Sequence, residues 1–153
     1  MENEKLSTDE IIQEYKEDVH RMLKYIPWLE SKVGLNVSDT YQSDDLEKKS
    51  ITFPVYDSTL LSFVKEVKGT KLIERNYMYA YSKYRMQNSD DELKNIKNAK
   101  ITQINLLRGI LSKYIVKGMT KATVWTEGVE KGIFLKVLLK LRELVEFYEG
   151  PLN

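Results

Sequence analysis

Apolar residues recur at three- and four-residue intervals through most of this chain, and that spacing predicts helices. Ile11, Ile12, Tyr15, Val19, Met22, Leu23 and Ile26 mark the first apolar face. Ser7 and Glu10 precede it with capping-box spacing, so the hydroxyl can accept from a first-turn amide while the carboxylate reaches back. Pro27 lacks an amide donor and pushes Ile26 away from helical geometry. The helix should stop or kink there, and a short second one should run to Val33 before Gly34 ends it. Residues 34–50 mix Asn, Asp, Ser and charge without a period and read as a loop. Within it Asp44, Asp45 and Glu47 lack calcium-loop spacing. ITFPVY (51–56) is β-prone but interrupted by Pro54, which limits it to a short extended or edge segment.

Asp57 or Ser58 can cap the next helix, with Leu60, Leu61, Phe63, Val64 and Val67 buried and Gly69 as its stop. Leu72 and Ile73 look extended. In NYMYAYSKYRM (76–86), Tyr77, Tyr79 and Tyr81 alternate as a strand would, while Tyr77, Tyr81 and Tyr84 repeat as a helix would. Asn76 as a cap and the Met, Ala, Lys and Arg content favour helix. Ser89 and Glu92 form a second capping-box pair ahead of Leu93 and Ile96. Ile101, Ile104, Leu107, Leu111 and Tyr114 trace a long stripe ended by Gly118, and Thr123 or Thr126 opens a turn around Trp125. In the last helix, Ile133, Val137, Leu138, Leu141, Leu144, Val145 and Tyr148 face inward, Lys136, Lys140, Arg142, Glu143 and Glu146 face out, and Gly150–Pro151 stops it. The pattern predicts a mainly α, compact single-domain multi-helix bundle over 7–150, with at most a small β element near residues 50–56 and 71–75. Residues 1–6 should fray and 151–153 form a tail.

Composition narrows the chemistry. The 153 residues suit one domain, able to bury roughly two-thirds of the unfolded surface. There is no cysteine and one histidine, His20. Thiol catalysis, Cys/His zinc sites and two-histidine metal motifs are thereby excluded, and His20, one position off the apolar stripe, reads as a helix-surface residue. No phosphate-binding glycine loop and no G-x-S-x-G elbow occurs. The sequence names no catalytic residue, no cofactor-binding residue and no metal ligand. No apolar run is long enough to span a bilayer, and the acidic opening MENEKLSTDE is unlike a presequence, so the expected setting is cytoplasmic, away from membranes.

Net charge is only +1, yet residues 1–50 carry seven Lys/Arg against twelve Asp/Glu, and residues 71–142 carry fifteen against six. That asymmetry suits an anionic partner or pairing between the halves. The Tyr77–Tyr84 cluster fits either core-and-rim packing, rings buried and hydroxyls at the edge, or a ligand surface. On the second reading, exposed aromatics beside a cationic face suggest an interaction surface made of Tyr77, Tyr81, Arg85, Trp125, Lys136 and Lys140, and hence a non-enzymatic protein-interaction or regulatory module with a protein partner. The alternative is an accessory nucleic-acid binder using Lys94, Lys97, Lys136 and Lys140. A weaker alternative is an enzyme whose Glu127 and Glu130 share a helical face and divide their proton affinities.

Several stretches resemble a family of small, mainly helical bacterial domains of unknown function. They are FPVYDSTLLSFVKEVKGTKLIERNYMYAYSKYRM (53–86), the helix LLRGILSKYIVKG, the ending EKGIFLKVLLKLREL, and the early RMLKYIPWLE (21–30). Each is a packing pattern, so the resemblance implies the fold and a bacterial intracellular setting but no activity. The family's penultimate helix ends in arginines and an aromatic, where this chain has Ser112, Tyr114 and Ile115. Residues 119–127 resemble an insertion around Trp125.

Overall fold

A computed structural model describes the backbone of residues 7–35, 38–42 and 52–149, and the side chains of 7–35 and 57–149. The expected fraying of 1–6, the acidic cluster 44–47, the stop at 150–151 and the tail lie outside those residues. The Ser7–Glu10 box forms: Ser7 Oγ accepts from the Glu10 amide at 3.2 Å while the Ser7 amide donates to Glu10 Oε1 at 2.8 Å. It opens α1 (Thr8–Met22), and its backbone hydrogen bond holds the Glu10 carboxyl below the usual carboxylate range. A 3-10 turn, Leu23–Tyr25, then leads into α2 (Ile26–Lys32), with Pro27 in its first turn where a missing amide costs nothing. Gly34 takes φ +81° and its amide donates to the Glu130 carbonyl, tying the end of α2 to the end of α7 (Thr123–Glu130).

Part of the expected loop is a strand. β1 (Ser38–Gln42) pairs antiparallel with β2 (Thr52–Tyr56), with Ser38 opposite Tyr56 and Thr40 opposite Pro54. A two-stranded ribbon has only edges, so Pro54 fits. The other expected β position, 71–75, carries no strand. Its carbonyls instead meet a side chain: Arg108 Nε donates to the Lys71 carbonyl and Nη2 to that of Ile73, while Ser112 Oγ accepts from the Glu74 amide at 2.7 Å. Before it, α3 (Ser58–Lys68) is capped by Asp57 and buries Leu60, Phe63, Val64 and Val67. Leu61 is exposed, because it falls between the buried turns.

The remaining helices, α4 (Tyr77–Lys83), α5 (Ser89–Asn98), α6 (Ile104–Gly118), α7 and α8 (Ile133–Glu149), complete a mainly α bundle with one hydrophobic core. α6 is its axis, packed by α4, α5, α7 and α8. The expected stripe is buried, and so are Leu106, Ile110, Ser112 and Ile115, so α6 is covered on most sides. Two glycines permit this. A Cβ on Gly109 would stand 2.7 Å from that of Ala80 where α4 crosses, and one on Gly118 would strike the Trp125 indole. α8 buries its predicted face except at Tyr148, which is exposed beside Phe147.

Candidate functional site

The tyrosine-rich segment is a helix, and its spacing separates two faces. Tyr77 and Tyr84 pack half-buried against the core, and Tyr81 is buried outright. The expectation that Tyr77 and Tyr81 present an open aromatic surface is corrected: both lie on the side of α4 that meets α6. Tyr81 donates its hydroxyl to Glu92 Oε2 at 2.5 Å, Tyr114 donates to Oε1 at 2.5 Å, and Lys113 Nζ lies 2.9 Å from Oε2. The Glu92 carboxylate is fully buried and collects all three donors. Burial, then the Glu92 hydrogen bond and its charge, raises both phenols far above the ordinary tyrosine value. Lys113 also stands within 5.1 Å of both ring centroids, so its charge is compensated by carboxylate and aromatic faces together.

Sequence reasoning missed this centre because Glu92 reads as the reaching-back member of a Ser89 box. The cap is one residue earlier: Asn88 accepts from the Asp91 amide at 2.9 Å, and Asp91 accepts from the Gln87 amide at 2.8 Å. Glu92 is thereby released inward. The signal was its position four residues before Ile96, on the apolar stripe of α5.

A second carboxylate gathers similar partners at the surface. Glu66 accepts from Tyr25 at 2.9 Å, meets Lys24 at 2.9 Å and lies 3.6 Å from Arg21. The Lys24 bond, with that of Tyr25, holds Glu66 below the usual range. Tyr25 is pushed up to about 12 by burial and by Glu66.

The outer face of α4 is different. Met78 is 59% exposed and Tyr79 63%. Residues 75–86 contain Arg75, Lys83 and Arg85 and no Asp or Glu. Arg85 is exposed and adopts φ +55°. It follows α4 in a Schellman closure, with its amide bonded to the Ser82 carbonyl and that of Met86 to Tyr81. Glycine normally fills that left-handed position, and an L side chain there costs ~1 kcal/mol.

The other expected surface residues stand away from α4 in sequence, on α7 and α8. Trp125 is half-buried, its Nε1 donating to the Ile115 carbonyl at 3.0 Å. Lys136 is exposed, whereas the Lys140 side chain is only 13% exposed and pairs with Glu143 at 3.2 Å. Lys94 and Lys97 are exposed on α5. Glu127 is exposed on α7 and Glu130 half-buried, and His20 stands on the open side of α1. Among the described residues, no group of three or more His, Asp or Glu side chains is placed to hold a metal, and no helix is long and apolar enough to cross a membrane. Comparison with protein-family models, curated proteins and solved structures gives no match.

Proposed function

We propose that this protein is a non-enzymatic interaction or regulatory module that docks a protein partner on the outer face of α4. The surface consists of Arg75, Met78, Tyr79 and Arg85. It replaces the set drawn from sequence, of which Arg85 remains. Arg85 carries the reading: a residue kept in a conformation where glycine would cost less earns its place through its side chain, and this one projects into solvent. Exposed Met and Tyr beside arginine match the usual composition of interface centres. A partner with an acidic rim suits a segment, 75–86, that holds two arginines and a lysine and no Asp or Glu, with Glu74 at its edge beside Tyr79. The bacterial setting rests on the family resemblance alone, and the cytoplasmic one on the acidic opening and the lack of a long apolar run.

The test is co-purification from the native host with the wild type and with M78A/Y79A in parallel. The reading expects a stoichiometric partner retained by the wild type and lost from the folded variant. A chain that emerges alone, or a partner indifferent to both substitutions, would contradict it. The nucleic-acid reading rests on exposed Lys94, Lys97 and Lys136. It requires retention on generic DNA or RNA that falls steeply with salt.

A further inference from the structure

We propose that the cavity between α1, α4 and the start of α6 binds a small organic oxyanion, a phosphate or carboxylate carried on a flat body. Its volume is about 710 Å³, within the range of ligand pockets. Two cations line it, Lys83 and Arg108, and its lining contains no Asp or Glu. Arg108 is locked in place by neutral acceptors: the carbonyls of Lys71 and Ile73, and Asn105 Oδ1 at 2.8 Å. Its guanidinium also lies 5.0 Å from the Tyr15 ring centroid. The charge is fixed in position without being neutralised by an ion pair among the described residues, which is what a preorganised anion site requires.

Lys83 joins the lining from α4. Its ammonium rests 5.5 Å from the Tyr84 centroid and 6.0 Å from that of Tyr79, again with no carboxylate partner among the described residues. Tyr84 and Thr102 are also in the lining, residue types that offer a flat ring and a hydroxyl donor. α6 starts here with no acidic residue in its first turn, so the positive end of its dipole adds to the field. Glu74 lines a smaller cavity that shares Lys83, Tyr84, Thr102, Gln103 and Asn105 with this one, so the anion belongs at the Arg108 end, which the smaller cavity does not include.

The site adjoins the docking face, since Lys83 also stands 6.0 Å from the Tyr79 ring, so the test leaves Met78, Tyr79 and Arg85 unchanged and uses the peptide arm to report docking. Amide NMR of the full chain is titrated with phenyl phosphate, benzoate, uncharged benzyl alcohol and an oligoglutamate peptide. The proposal expects saturable shifts at Tyr84, Thr102 and Asn105 with phenyl phosphate or benzoate and none with benzyl alcohol, and the tighter of the two names the oxyanion. K83M should weaken binding about tenfold, as loss of one charge-assisted bond does, while K83R retains it. Shifts scattered over every lysine, saturation unchanged by K83M, or no saturation with either small anion would overturn the proposal. So would binding of the peptide alone, which would assign the positive charge to partner docking.

Discussion

Tyr79 and Tyr81 stand two residues apart on α4 and meet opposite fates. Tyr81 turns into the bundle, where its hydroxyl, that of Tyr114 and the Lys113 ammonium converge on Glu92. Tyr79 turns into solvent beside Met78 and has a lysine 6.0 Å from its ring. In the low-dielectric interior a satisfied polar cluster is strong and each missing partner is costly. On the outer side nothing structural repays the exposure of two large apolar side chains or the left-handed arginine that follows. The inner face builds the fold, and the outer face is free to work.

Removing the carboxylate should produce the largest effect. Glu92→Ala leaves a partly buried ammonium and two buried hydroxyls without their acceptor, and should cost about 3–5 kcal/mol in chemical denaturation. A loss under about 1 kcal/mol would erase the difference between the two faces. Tyr81→Phe should cost about 2 kcal/mol, the usual worth of a hydrogen bond to a charged group. High pH sharpens the same point. The native state holds Tyr25, Tyr81 and Tyr114 protonated where the unfolded chain would lose those protons. The unfolded chain therefore binds fewer protons above pH ~10, and stability should fall from there as pH rises. Denaturant midpoints across that range should slope downward, and less steeply in Tyr81→Phe.

On the outer side the sign reverses. Arg85→Gly should stabilise the protein by about 1 kcal/mol by relieving the left-handed conformation, while weakening partner retention. A destabilised Arg85→Gly would show that the arginine serves the fold. The smallest effect belongs to Glu66→Ala. Glu66 has a tyrosine and two cations, yet it sits where water competes, and its removal should cost less than about 1 kcal/mol in thermal melts.

The helices were legible because each rests on local chemistry: the Ser7 box, Pro27 in a first turn, Asp57 before α3, and Gly69 and Gly118 at helix ends. β1 was not, because five polar-leaning residues acquire strand geometry only from the pairing partner at 52–56. Tyr77, Tyr81 and Tyr84 held a lesson in their own spacing. The period that identifies them as helical also places them on one face, and a bundle buries that face. Glu92 could not be valued from sequence, since its partners lie 11, 21 and 22 residues away on other helices.

Tyrosine nitration with tetranitromethane, mapped by peptide mass spectrometry on the native protein, reads the two faces of α4 side by side. The account predicts rapid modification of Tyr79, with Tyr81 and Tyr114 protected until the protein is unfolded. Modification of Tyr81 as fast as that of Tyr79 would contradict it.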